Sequence, residues 1–277
     1  MSAPQDIIRQ LQREILQLQG SRPPAPGQTD IALGPIKAAF PNKTFPTGAI
    51  HEFVCARPAD EAATTGFTAG LISGLMRTGG VCVWVSAGRK VYPPGLKAFG
   101  VPPDRVIFMD MHTEKEVLWV MEEALKCEGL AAVVGELREL GMTVSRRYQL
   151  AVEQSRVTGL VIRQQPRQLY PNATVARWHV THLPGTTGSS FTGSDAAGFS
   201  FTGSVVTGSA ATGSFFTRLA AANPTLPGVG FPRWNVQLSR IRNGHPGSWE
   251  VEWQAGRFHF EAPKIHPQEK ALRKRTG

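Results

Sequence analysis

Residues 50–68 read Ile50-His51-Glu52-Phe53-Val54-Cys55-Ala56-Arg57-Pro58-Ala59-Asp60-Glu61-Ala62-Ala63-Thr64-Thr65-Gly66-Phe67-Thr68, a short apolar strand that runs through a turn into a helix. In a nucleotide-binding α/β domain this position carries G-x-x-x-x-G-K-[ST], whose glycines let backbone N–H groups wrap phosphate while Lys and a hydroxyl reach the terminal phosphates and the metal. Here the stretch after the strand holds one glycine and no Gly-Lys-Ser/Thr. The scaffold of a nucleotide-binding domain is present without its phosphate grip, so the chain is expected to be a binding protein and not an enzyme.

Working outward, Val81–Val85, Val106–Met109, Ala131–Val134 and Leu160–Ile162 are continuous apolar runs, as expected of strands buried on both faces of a parallel sheet. Helices are expected between them at 67–76, 94–99, 113–127 and 143–156. In the third, Val117, Leu118, Met121 and Leu125 form an apolar stripe, and Glu122 precedes Lys126 by four on the wet face. Strand and helix alternating at this spacing give right-handed crossovers and a doubly wound, mostly parallel α/β sheet. Beyond residue 170 the period becomes two, with Val175, Arg177 and His179 alternating with Ala176, Trp178 and Val180. The same alternation recurs around Trp234–Ser239 and Trp249–Trp253, with the turn Asn243-Gly244-His245-Pro246-Gly247 between them. An antiparallel C-terminal extension of the sheet is expected there.

The chain divides by composition. Residues 1–30 comprise an amphipathic helix, with Ile7, Ile8, Leu11, Ile15 and Leu18 at helical spacing, and a Pro/Gly linker. The apolar residues Ile7, Leu11, Ile15 and Leu18 are expected to dock on a second copy or on a partner, the alternative being the chain's own core. Residues 31–184 are the α/β core. Residues 185–222 contain a pentapeptide repeat, GTTGS, SFTGS, DAAGF, SFTGS, VVTGS, AATGS, expected to be a flexible surface insertion expanded by repeat slippage. Residues 223–262 supply the antiparallel strands that complete the core, and 263–277 a basic tail.

A formal net charge of +9 favours a polyanionic or acidic partner. Arg146, Arg147, Arg156, Arg163 and Arg167, together with Arg240 and Arg242 and with Lys270, Arg273, Lys274 and Arg275 of the tail, are the candidates for contacting DNA or a protein partner. The alternative for the helical arginines is a solvated face with internal ion pairs. Three widely spaced cysteines, Cys55, Cys82 and Cys127, argue against a disulfide framework and for a reducing cytoplasm. No apolar run approaches the ~20 residues of a membrane span. The seven histidines show no metal-ligand spacing, and His51 reads as a core histidine. No nucleophile elbow is present. No metal and no cofactor are expected.

The order of elements resembles the ATPase core of the RecA recombinase family. More narrowly, Phe45-Pro46-Thr47-Gly48-Ala49-Ile50-His51-Glu52-Phe53, Val134-Gly135-Glu136-Leu137 and Ser145-Arg146-Arg147-Tyr148-Gln149-Leu150-Ala151 resemble the ImuA family, RecA-related accessory proteins of bacterial mutagenesis cassettes. Val157-Thr158-Gly159-Leu160-Val161-Ile162-Arg163 and Pro227–Val236 extend the resemblance. It implies a RecA-like fold with a degenerate phosphate loop and a non-catalytic, adaptor role in SOS-induced translesion DNA synthesis. The implied partners are an ImuB-like polymerase-related protein and an error-prone DNA polymerase, with DNA and a second copy of the chain as further candidates. An active RecA-type ATPase needs a carboxylate after the second strand and an Asp ending the fourth; the chain has Ser86-Ala87-Gly88-Arg89 and Gly135-Glu136-Leu137 there. Glu136 and Glu139 are therefore expected in salt bridges or interface contacts. Rival readings are a SulA-type cell-division inhibitor and a cryptic DNA-dependent ATPase.

Overall fold

The computed structural model describes residues 31–88, 90–185 and 231–260. The repeat at 186–213, the helix bearing Ile7, Leu11, Ile15 and Leu18, and the tail cations Lys270, Arg273, Lys274 and Arg275 lie outside the described residues.

A nine-stranded sheet organises the described residues, with strands β1 (Ile50–Cys55), β2 (Val81–Ser86), β3 (Val106–Asp110), β4 (Leu130–Leu137), β5 (Thr158–Gln164), β6 (Ala176–Leu183), β7 (Arg233–Ile241), β8 (Gly247–Gln254) and β9 (Arg257–Phe260). Their order across the sheet is β3-β2-β4-β5-β1-β6-β7-β8-β9. The first six in this order run parallel, and β7, β8 and β9 add antiparallel hairpins. Three α-helices connect the parallel strands: α1 (Glu61–Leu75), α2 (Glu114–Leu125) and α3 (Met142–Ser155).

Two apolar cores flank the sheet, and they explain why the strands differ in period. On one face, Phe53, Trp84, Val134, Leu160 and Ile162 join Trp178, Val180, Trp234, Val236, Val251 and Trp253 beneath α1. On the other, Ile50, Val83, Val133 and Val161 pack under α2 and α3 through Val117, Met121, Leu125, Tyr148 and Val152. Strands β1, β2, β4 and β5 contribute to both cores and so carry runs of apolar residues without alternation, interrupted by the buried polar residues His51, Glu52, Ser86, Glu136, Thr158 and Arg163. No residue of β6 to β9 enters the second core. Their second face carries Arg177, His179, Asn235, Gln237 and Glu250, which is the origin of the two-residue alternation.

Helix α1 is buried almost all round because three glycines, Gly66, Gly70 and Gly74, lie at i, i+4 and i+8. A Cβ at Gly70 would sit 2.6 Å from Phe258 and 2.9 Å from Trp253, and one at Gly66 2.9 Å from Phe99. The helix thus reaches the aromatic layer that the antiparallel strands present. Helix α2 begins with a reciprocal capping box in which Thr113 Oγ1 accepts the Glu116 N–H and the Glu116 carboxylate accepts the Thr113 N–H at 3.1 Å. Helix α3 is pinned to α2 where Tyr148 donates to the Leu118 carbonyl at 2.9 Å and Ser155 donates to that of Leu125 at 2.6 Å.

Four expectations change. Strand β6, read as the start of the antiparallel extension, pairs parallel with β1 and antiparallel only with β7; its alternation reports an uncovered face and not strand direction. Strand β3 is an edge strand with Ile107 51% exposed, not a strand buried on both faces. Helix α1 starts six residues earlier than expected, at Glu61. Glu122 is buried, not on the wet face, and lies under Arg147.

Candidate functional site

In open parallel sheets ligands bind beyond the carboxyl ends of the strands, at the point where strand order reverses. Here that edge is built by the residues following β1, β2, β4 and β5. Between Cys55 and Glu61 the chain makes a 3-10 turn, Pro58–Asp60, in which Pro58 has no N–H and the Asp60 N–H is donated to the Arg57 carbonyl. The Asp60 carboxylate, 2% exposed, takes the position preceding the helix. It accepts Arg57 Nε at 2.7 Å and the His182 N–H at 3.2 Å, and lies 2.8 Å from His182 Nδ1. Burial works to raise its pKa, but the bonds from Arg57 and His182 outweigh it and hold the carboxyl below its ordinary value. A buried anion therefore immediately precedes the positive end of α1, its carboxylate turned to Arg57 and His182 and not to the helix N–H groups.

The second carboxylate of this edge is Glu136, at the end of β4 and 6% exposed. It accepts Trp84 Nε1 at 2.7 Å and Gln164 Nε2 at 2.8 Å. Gln164 in turn accepts Lys90 Nζ at 2.7 Å, and Lys90 lies 3.6 Å from Glu61. Burial raises the Glu136 pKa, against the pull of Trp84, Lys90 and Gln164. Among the described residues Glu136 makes hydrogen bonds to Trp84 and Gln164 and no salt bridge, which leaves an interface contact as the other expected role. Glu139 does make a salt bridge, with Arg163 at 2.8 Å. Asp60, Glu61 and Glu136 thus stand together at this edge, the first held by Arg57 and His182 and the second beside Lys90. No group of three or more His, Cys, Asp or Glu placed to hold a metal occurs among the described residues.

Beside this edge a buried ionic network fixes two loops. Arg163 is fully buried and its guanidinium donates to Glu52 Oε1 and Glu139 Oε2, each at 2.8 Å, and to the carbonyls of Arg138 and Gln168, each at 3.0 Å. Glu52 is likewise buried and accepts Arg177 Nε at 2.7 Å. Burial pushes the Glu52 pKa up, yet Arg163, Asn172 and Arg177 together bring it below the ordinary value. Arg163 is thus removed from the surface group proposed from sequence: its positive charge answers a buried carboxylate. Arg240 and Arg242 are also engaged internally. Arg240 donates to Asn172 and Thr174, and Arg242 to the Ala173 carbonyl at 3.2 Å. Arg147 pairs with Glu122.

The network carries an exposed surface. Residues 138 and 139 are held by Glu114, which accepts both N–H groups at 2.7 and 2.9 Å, and Glu139 accepts the Arg167 N–H at 2.9 Å. The 165–175 loop is tied to α3 where Ser145 Oγ accepts the Ala173 N–H at 2.9 Å, and to β6 where Arg177 donates to the Tyr170 carbonyl at 2.9 Å. Arg138, Arg146 and Arg167 are exposed on these elements. Met142, Leu169 and Tyr170 are 52%, 45% and 53% exposed. Sequence analysis found Arg146 and Arg167 but missed Arg138 and the three apolar residues. The signal was available in Pro166-Arg167-Gln168-Leu169-Tyr170-Pro171, where large apolar side chains sit outside any strand or helix period. Arg156, at the C-terminal end of α3, belongs to the opposite edge of the sheet and is separate from this surface.

A strand order of this kind, with antiparallel strands appended beyond β6, defines a RecA-like α/β protein. Across 231 residues the chain is 32% identical to Protein ImuA of Caulobacter vibrioides, in strains NA1000 / CB15N and ATCC 19089 / CIP 103742 / CB 15, covering 79% of this chain and 80% of theirs. The chain belongs to the ImuA family. No protein-family profile matches it. Among solved structures, that of the RadB recombinase superposes with a TM-score of 0.47 at 11% identity, over 79% of this chain and 93% of that one.

Proposed function

We propose that the protein is a non-catalytic, RecA-like accessory factor of damage-induced translesion DNA synthesis, working as an adaptor for an ImuB-like polymerase-related protein and an error-prone DNA polymerase. Membership of the ImuA family supports the setting. The observation that carries the non-catalytic part is the Asp60 carboxylate, buried and held by Arg57 and His182 at the start of α1, where a nucleotide phosphate would have to bind.

The adaptor contact is assigned to the surface formed by residues 138–142, the first turn of α3 and residues 165–171. It combines cations with exposed aromatic and aliphatic groups, the composition typical of protein contact patches, and the buried Arg163 network holds it in one geometry before a partner arrives. DNA is a second candidate occupant through Arg138, Arg146 and Arg167. Titration of the ImuB-like partner with Leu169→Ala/Tyr170→Ala should weaken binding about tenfold or more, whereas Arg146→Gln/Arg167→Gln should chiefly reduce the association rate and its salt dependence. Unchanged affinity in both double variants would remove this surface from the adaptor role.

A further inference from the structure

At the amino ends of the strands, opposite the edge just described, the structure encloses a cleft of about 290 Å³. Its walls come from the residues entering four elements: Thr47 before β1, Thr78-Gly79-Gly80 before β2, Gly129 before β4, and Thr158 opening β5. Arg156, in the left-handed conformation that ends α3, closes one side and is the one charged residue among the described residues lining it.

The lining is suited to an oxyanion. Thr158 Oγ1 accepts the Gly48 N–H at 3.1 Å, which leaves its hydroxyl proton to be donated. Thr78 brings a further hydroxyl, and no carboxylate is among the described lining residues. At Gly79 and Gly129, with φ of 111° and 95°, an added Cβ would meet nothing within 4 Å, so these glycines leave backbone open to the cleft and are not demanded by packing. Helices α1, α2 and α3 all end at this edge, and each carbonyl end, equivalent to roughly half a negative charge, opposes an anion. Against them, Arg156 lines the cleft, Arg77 precedes Thr78, and Arg105 donates to the Gly80 carbonyl, with Asp104 and Glu128 as acidic chain neighbours.

We infer that this cleft is a binding site for a small phosphate-bearing ligand, with Arg156 as its charge partner and Thr78 and Thr158 as hydroxyl donors. Its volume accommodates a phosphoryl or diphosphoryl group but is small for a whole dinucleotide, since sites for drug-sized ligands begin near roughly 300 Å³. It lies across the sheet from Asp60 and Glu136, so it is independent of the vestigial nucleotide edge and of the adaptor reading.

Isothermal titration of the full chain with orthophosphate, pyrophosphate and adenosine monophosphate tests this. Saturable binding of at least one is expected, weakened tenfold or more by Arg156→Gln and by Thr78→Val. Lys97→Gln, which removes one positive charge from an exposed site outside the lining, should leave it within twofold. Binding of the mononucleotide in preference to the inorganic anions would assign the phosphate to a nucleotide, and the reverse to a free phosphate; either supports the site. Unfolding midpoints of the unliganded variants, expected to be unchanged because Arg156 and Thr78 are exposed, separate lost binding from lost fold. Absence of saturable binding by all three ligands, or equal loss in Arg156→Gln and Lys97→Gln, overturns the proposal.

Discussion

His51 shows how a single residue records its environment. Its Nε2 donates to the Pro46 carbonyl at 2.7 Å, its Nδ1 accepts Trp178 Nε1 at 3.4 Å, and its ring stacks on Phe45 at 4.2 Å. Both nitrogens are matched only in the neutral form, and burial lowers the pKa from 6.5 to about 4. A histidine with a depressed native pKa contributes stability that is complete above 6.5 and is lost as pH falls toward 4, because only the unfolded chain then takes up the proton. Urea unfolding from pH 7 to pH 4 should therefore show a decline on the order of 3 kcal/mol, and His51→Gln should flatten it while lowering stability at pH 7. Glu52, depressed below the ordinary carboxylate range, adds its loss only at more acid pH. That His51 belongs to the core was legible from its place at a strand start. That Arg163 also belongs there was not, because its partner Glu52 is 111 positions away and nothing local marks the pair. Arg163→Leu removes one of the two arginines that answer buried Glu52, leaving Arg177, and should destabilise the fold by up to about 3–5 kcal/mol, more than Arg146→Leu on the exposed face, in denaturant titrations.

Among elements, the central parallel strands β2, β4 and β5 were legible because burial on both faces gives them continuous apolar runs, Val81–Val85, Ala131–Val134 and Leu160–Ile162. Helix α1 was legible only in its second half. Its first turn, Glu61-Ala62-Ala63, follows Pro58 and a 3-10 turn, so its start is set by the Asp60 contacts with β6 and not by an apolar stripe. The parallel pairing of β6 was hidden for a related reason: alternation reports which faces are covered and carries no information on direction. The glycine row of α1 allows a sharp test at this scale. Replacing Gly by Ala in a helix ordinarily gains about 1 kcal/mol, yet Gly70→Ala would place a methyl 2.6 Å from Phe258. Overpacking of about 1–3 kcal/mol should win, giving a net loss in the thermal midpoint. A stabilised Gly70→Ala variant would mean that the aromatic layer of β8 and β9 yields to α1.

At the scale of the whole molecule, the two edges of the sheet differ. At the carboxyl edge Asp60 and Glu136 are buried and bonded internally, and beside it the loops fixed by Arg163 expose the mixed cationic and apolar surface that we propose meets a partner. That residues 55–68 hold one glycine and no Gly-Lys-Ser/Thr is read directly from the sequence. The bonds made by Asp60 and Glu136 were not legible, because His182 and Gln164 arrive from distant strands. The central claim is that this RecA-like core does not hydrolyse nucleotide. Steady-state ATP hydrolysis by the full chain, measured with and without single-stranded DNA and in parallel with Glu136→Gln, tests it most directly. The account predicts no turnover above background in either protein; DNA-stimulated turnover that Glu136→Gln abolishes would contradict it.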